Sequence, residues 1–312
     1  AEQALCTGAH LGCRLWFASG VPSPEQAPTP EAKHLAEQAQ LQADRNRAYY
    51  AKNRALHRSV VLRLTEQIRN CILVHQQPNA RIARSGALDP ERVWRAPLLN
   101  DSRVFRCAEE ENQPSFTVDL LLDASASRLH CQEVIAAQGT ILAQSLAACG
   151  IPVRVSSFCS LRGYTVLRVL KGFADKSLQG IDQYFASGWN RDGLALRAAG
   201  DLVSFDPGPA PRHLLILLTD ASPNDSRRVP PSPEQPLGCD YGGSYGVDDA
   251  AAEVRTLRRK GLRVSAVFMG EDSSSHDAER IYGKNLARIR GMDQLARAAG
   301  RLIQNEIREL GD

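Results

Sequence analysis

The pattern of apolar and polar positions changes character near residue 116. From there on, short apolar runs alternate with longer segments of helical spacing. Strands are expected at 117–122, 152–158, 164–170, 213–218 and 262–268, with a weaker one near 286–289. Helices are expected at 129–149, about 176–186, 192–204, 248–260 and 293–310. Strands separated by helices of this size predict a parallel sheet covered on both faces. The run Phe116-Thr-Val-Asp-Leu-Leu-Leu122 reads as a strand buried on both sides. Only five residues, Cys159–Gly163, separate the strands at 152–158 and 164–170, which suits a hairpin and makes 164–170 an antiparallel edge strand. The connection Ser222–Gly246 is rich in Pro, Gly and Asp and long for a link, the mark of a functional or mobile segment.

Before residue 116 the pattern is different. Residues 31–74 read as one long helix or two. Leu56, Val60, Leu64, Ile68 and Ile72 recur every four residues, and Val61 and Cys71 widen the stripe. Pro22, Pro24, Pro28 and Pro30 mark a linker ahead of it. Asp89-Pro90 looks like a helix start and Val104–Cys107 like a short strand. The expected organisation is a helical N-terminal extension over 1–115 and an α/β domain over 116–312.

Composition adds modest limits. The chain has 312 residues, 43% hydrophobic and 23% charged, which is ordinary for a globular protein. A net charge of +3 gives no strong case for nucleic acid or membrane. Arg45, Arg47, Lys52, Arg54, Arg58, Arg63 and Arg69 on the long helix read as a solvated face, or one that docks on an acidic protein, in preference to a nucleic-acid grip. No apolar run approaches the ~20 residues that span a bilayer, and the first residues lack a leader pattern. With eight scattered cysteines, the expectation is free buried thiols in a reducing cytoplasm. Cys6, His10 and Cys13 have metal-like spacing without a fourth ligand nearby, so a turn of small buried residues is the better reading than zinc.

The chemistry gathers at three places. Asp123, Ser125 and Ser127 stand at i, i+2 and i+4 just past the first strand. Gly188-Trp-Asn190-Arg-Asp192-Gly193 precedes a helix, and Thr219-Asp220 ends another strand. In an open α/β sheet, ligands bind at the carboxyl ends of the strands, so these loops are expected to meet. Carboxylates, hydroxyls and an amide oxygen suit a hard divalent cation, Mg²⁺ or Mn²⁺. Asp192 caps its helix or contacts the metal shell. Asn224 and Asp225 recognise a partner or cap a turn, and Tyr241 and Tyr245 contact a partner or pack. Asp119 is read as a structural acid paired with an arginine, and His213 as a structural histidine. No phosphate-cradling Gly-x4-Gly-Lys loop and no Gly-x-Ser-x-Gly elbow is encoded.

Asp-x-Ser-x-Ser, the Gly-terminated loop before a helix and the strand-terminal Thr-Asp, in this order, resemble the von Willebrand factor type A (VWA) domain and its metal-ion-dependent adhesion site. Asn190 stands where that family usually has Thr. Asn190–Leu196, Asp220–Asp225, Cys149–Phe158 and Tyr245–Arg255 resemble the NorD-like branch, which holds the cobaltochelatase VWA subunit and the nitric oxide reductase activation protein. The resemblance implies a Rossmann-like fold. It implies Ser125, Ser127 and Asn190 as direct metal ligands, and Asp123 and Asp220 as ligands directly or through water. It further implies a non-catalytic adaptor. A MoxR-type AAA+ ATPase would be its partner, and a target protein's Asp or Glu would complete the metal. The alternative is a Mg-dependent phosphoryl-transfer or hydrolytic enzyme. Two stability expectations follow: Leu120→Ala or Leu122→Ala costs ~2–5 kcal/mol in a central strand, and Asp220→Ala costs little without metal, because it thins a self-repelling cluster.

Overall fold

The computed structural model describes residues 2–20, 23–75, 80–108, 116–231 and 236–311. In chain order, α1 (Glu2–Leu5), β1 (Arg14–Ser19), α2 (Pro30–Lys52) and α3 (Arg54–His75) come first. They are followed by β2 (Ala80–Ala83), β3 (Ala87–Leu88), α4 (Arg95–Leu99) and β4 (Phe105–Ala108). Next come β5 (Phe116–Asp123), α5 (Gln132–Ala148), β6 (Val153–Leu161), β7 (Tyr164–Lys171), α6 (Asp192–Phe205) and β8 (Arg212–Thr219). The chain ends with β9 (Asp225–Val229), β10 (Cys239–Tyr241), α7 (Gly243–Arg259), β11 (Arg263–Phe268), α8 (Ser275–Tyr282), β12 (Leu286–Arg288) and α9 (Met292–Gly311).

Seven strands form the main sheet in the order β1-β7-β6-β5-β8-β11-β12. β5 lies at its centre, parallel to β6 on one side and β8 on the other. All eight of its residues are buried. Val118, Leu120 and Leu122 pack with α3, α5 and α9 on one face. Leu121 packs with α6, α7 and α8 on the other. The chain goes to one side of β5 for β6 and to the opposite side for β8. The gap between the ends of β5 and β8 is therefore the topological switch point, where open sheets bind ligands.

The expected strand 164–170 is antiparallel to β6, but it is one place in from the edge. β1 from the N-terminal segment pairs parallel with it and takes the outer position. α2 and α3 correspond to the long helical region, and Thr29 caps α2 by accepting from the Ala32 amide at 3.2 Å. The buried stripe on α3 is Val60, Val61, Leu64, Ile68 and Cys71, whereas Leu56 is exposed. A four-residue repeat advances about 40° per step past a 3.6-residue turn, so the Leu56 end rotates off the core while Ile72 stays half-buried against it.

Two expected helices differ. At 176–186 the chain forms a 3₁₀ turn, Gln179–Gln183, because it must pass close to β7. A Cβ on Gly180 would lie 2.0 Å from the Leu170 carbonyl oxygen. After Asp89-Pro90 a turn comes first, and the helix spans Arg95–Leu99. The Ser222–Gly246 connection contains the antiparallel pair β9–β10. Pro22 of the expected linker and residues 109–115, which adjoin the expected domain boundary, lie outside the described residues. The cysteines among the described residues are free, and Cys6, Cys13 and Cys71 are buried.

Candidate metal centre

The three loops singled out in the sequence meet at the switch point, held by backbone bonds. Ser187 donates to the Ala124 carbonyl at 2.7 Å and Ala126 to the Gly188 carbonyl at 2.9 Å, joining the first loop to the second. Asn190 and Asn224 exchange backbone bonds at 2.9 Å each, joining the second to the third. The Asn190 side-chain amide also donates to the Ser222 carbonyl at 3.1 Å. Beneath them, Tyr184 donates to the Asp123 carbonyl at 2.5 Å.

Side chains complete the cluster. The Ser125 amide donates to Asp123 Oδ1 at 2.9 Å, and the Thr219 hydroxyl donates to Asp123 Oδ2 at 3.4 Å. Ser127 donates to Asp220 Oδ2 at 2.7 Å, so the 2.8 Å contact between the two serine hydroxyls is one that Ser125 donates. Asp220 Oδ1 accepts from the Ser222 amide at 3.2 Å. Ala221, next to Asp220, has φ 53°. That left-handed backbone is costly for a residue with a Cβ and sets the sharp turn of the third loop. Asp123 and Asp192 are fully buried, whereas Ser127 faces solvent and marks the opening. Exposed Leu129 and Trp189 lie on the same two loops.

Asp192 is the first residue of α6, and no side chain caps that helix. Neither of its buried carboxylate oxygens makes a hydrogen bond of ordinary geometry. Burial raises its pKa well above the usual range, and the charges of Asp123 and Asp220 add to this, with the neighbouring Asn190 amide pulling the other way. Burial, then Asp220, pushes Asp123 up to about 7. Three carboxyl groups thus share one pocket with serine and threonine hydroxyls. Such a set repels itself unless positive charge balances it, and its oxygens suit a hard divalent cation.

Two arginines beside the site were not singled out in the sequence. Arg128, one residue past the Asp-x-Ser-x-Ser motif, ion-pairs with Asp220 Oδ2 through a very short contact. Arg191, between Asn190 and Asp192, is fully buried. It donates to Asp225 Oδ2 at 2.9 Å, to the Arg227 carbonyl at 2.8 Å, to the Ala9 carbonyl at 2.5 Å and to His10 Nδ1 at 3.1 Å. Its guanidinium lies 4.1 Å from the Tyr241 ring centroid. Their adjacency to motif residues was the only sequence signal available.

This network also places the remaining candidates. Tyr241 is fully buried, donates to Asp249 at 2.7 Å and accepts from the Gly193 amide at 3.1 Å. A Cβ on Gly193 would fall 1.9 Å from Asp249 Oδ2, so a larger residue there would have to push Asp249 aside. Asp225 is buried under Arg191, Asn224 is exposed and Tyr245 is half-buried against Tyr241. His10 belongs to the network and not to a cysteine cluster. Its Nδ1 accepts from Arg191, so Nε2 carries the proton and points at Asp249 Oδ2, 3.4 Å away. Burial, with Arg197 and Arg191, lowers its pKa to about 2. His10, Asp249 and Glu253 could together surround an ion, but Glu253 is held by Arg197 at 2.5 Å and the free lone pair of His10 is already engaged. Asp119 pairs with buried Arg154 at 2.5 Å, and His213 Nδ1 lies 2.8 Å from the Thr117 hydroxyl, both structural roles.

No family model matches the chain. NorD of Brucella suis biovar 1 is 27% identical over 141 residues, covering 44% of this chain and 20% of NorD. NorD of Brucella abortus is 26% identical over 141 residues with the same coverage. The chain thus spans about a fifth of the length of these curated relatives. Among solved structures, the manganese-loaded TRAP protein of Plasmodium vivax aligns with a TM-score of 0.44 and 15% identity over 62% of this chain and 74% of that one. The von Willebrand factor domain of the pilus tip protein Mfa5 from Porphyromonas gingivalis aligns with a TM-score of 0.43 and 10% identity over 64% and 95%. A mostly parallel seven-stranded sheet with three loops converging at its switch point is the architecture expected of a VWA domain, and over 141 residues the sequence is similar to NorD.

Proposed function

We propose that this chain is a metal-dependent protein-binding adaptor. Asp123, Ser125, Ser127, Asn190 and Asp220 would hold Mg²⁺ or Mn²⁺, with Asp192 as a further oxygen beside the ion. The observation that carries this reading is the burial of Asp123, Asp192 and Asp220 together, with Ser127 exposed beside them. A bound divalent ion would supply an electrophilic position there for an outside carboxylate. The chain's residues would orient the site, exclude water from its base and offer Leu129, Trp189, Asn224 and Tyr245 as the rim against an acidic segment of a target. The NorD likeness supports a protein-partner role, and we take the ATPase partner to be of the MoxR type, with both acting in the cytoplasm. No helix among the described residues is long and apolar enough to cross a membrane. The division into 1–115 and 116–312 belongs to the same proposal, with the added feature that β1 joins the sheet of the α/β domain.

Two experiments test it. Mg²⁺ or Mn²⁺ should raise thermal stability in wild type, and Asp123→Ala or Ser125→Ala should abolish the rise. An unchanged response in both variants rules the site out. A MoxR-type ATPase should be captured by this chain with metal and lost with chelator; equal capture in both conditions refutes a metal-dependent adaptor. Steady phosphatase turnover by the purified chain would favour the enzyme alternative instead.

A further inference from the structure

The Arg128 guanidinium occupies a position that the metal reading leaves unexplained. Arg128 lies in the 3₁₀ turn Ala126–Cys131 and is almost fully buried, although it directly follows the exposed Ser127. One terminal nitrogen ion-pairs with Asp220 Oδ2. Its Nε donates to Ser127 Oγ at 3.3 Å, and the other terminal nitrogen donates to the Met269 carbonyl at 3.3 Å. The Met269 amide in turn donates to the Thr219 carbonyl at 3.0 Å, so the end of β11 fixes the arginine against the third loop.

The lone pairs explain what this does. Ser127 gives its proton to Asp220 Oδ2 and accepts from both Ser125 and Arg128. Asp220 Oδ2 accepts from both Ser127 and Arg128. The atoms through which two of the proposed ligands would face an ion are therefore engaged by donors from the chain itself. A divalent cation that takes either oxygen has to displace a guanidinium N–H. It also has to sit near a fixed positive charge in a poorly screened pocket.

We propose that Arg128 is a resident counter-cation of this site: it balances the buried carboxylates when no ion is bound and, by competing for Asp220 and Ser127, sets the metal affinity. This rests on the metal reading above. It makes the metal-free site stable and the loaded site weaker than its oxygen count suggests. The guanidinium fork reaches Asp220, Ser127 and the Met269 carbonyl at once, which a lysine ammonium cannot do in the same geometry.

The test is a Mn²⁺ titration of the full chain, with free Mn²⁺ counted by electron paramagnetic resonance and thermal midpoints recorded with and without the ion. Arg128→Met and Arg128→Gln should tighten the Mn²⁺ dissociation constant roughly tenfold or more. They should lower the midpoint in chelator and enlarge the rise on adding Mn²⁺. Arg128→Lys should fall between them and wild type. If the Met variant folds only when Mn²⁺ is present, the inference is supported, since the ion then does the arginine's work. If wild type binds Mn²⁺ and the variants bind it equally or more weakly, Arg128 is not a competitor, and the metal site stands without it. If neither wild type nor variants bind Mn²⁺, the metal reading fails and takes this inference with it.

Discussion

Asp220→Ala separates two views of the same cluster. From sequence alone its cost in metal-free protein is small, because one of several repelling acids is removed. The structure reverses the sign of the larger effect. Asp220 Oδ2 carries the Ser127 hydroxyl at 2.7 Å and the Arg128 guanidinium, and the two charged side chains are 6% and 7% exposed. Alanine would leave that guanidinium with only neutral oxygens at 3.3 Å. Breaking a buried pair by removing one partner costs ~3–5 kcal/mol. Relief of repulsion works against this. Asp123 is pushed up first by burial and then by Asp220, so losing Asp220 relieves part of that strain. The net expectation is a loss somewhat below that, on the order of 2–4 kcal/mol. Urea unfolding in chelator at neutral pH measures it. A double-mutant cycle with Arg128→Met should give a coupling of ~2 kcal/mol, because removing both charges leaves neither stranded. An Asp220→Ala stability within ~0.5 kcal/mol of wild type, or a coupling near zero, would refute the reasoning.

Other perturbations probe the rest of the molecule. Leu120→Ala or Leu122→Ala should cost ~2–5 kcal/mol by urea melts, since both side chains are buried in the central strand. Arg191→Met should cost ~3–5 kcal/mol by stranding Asp225 and loosening residues 9–10, and Arg191→Lys should recover little of it, because a lysine cannot reach four acceptors at once. Burial raises Asp119 to about 6 against the attraction of Arg154. A carboxyl whose folded pKa is raised gives stability that is fully present below its unfolded value and is lost as pH rises through the folded one. Asp119→Asn should therefore gain on wild type by roughly 1–3 kcal/mol between pH 4 and pH 7 in paired urea melts; a constant difference across that range would count against a raised Asp119.

Much of this molecule was readable in order along the chain. The near-continuous apolar run 116–122 identified β5 as a central strand, because a strand covered on both faces has no reason to alternate. Spacing placed five further strands of the main sheet and the α2, α3, α5, α6, α7 and α9 helices, since period and capping are local properties. The edge of the sheet was not readable. Arg14–Ser19 is short and mixed in polarity, and its pairing with Tyr164–Val169 joins segments about 150 residues apart. The Gln179–Gln183 turn likewise depends on how near Leu170 the chain must pass.

The site divides along the same line. Oxygen-bearing residues at strand ends are a sequence pattern, so Asp123, Ser125, Ser127, Asn190 and Asp220 could be named from the order of residues alone. Which charge balances them is decided by three-dimensional contact. Arg128 meets Asp220 across 92 positions of chain, Arg191 meets His10 across 181, and the buried Asp192 carboxylate feels the charges of Asp123 and Asp220. Sequence by itself determined the strands and the loops in which oxygen-bearing side chains gather, because both are written in neighbouring residues. Only the tertiary structure decided the pairing of buried charges, because a charge taken out of water depends on every group within a few ångströms, whatever its place in the chain.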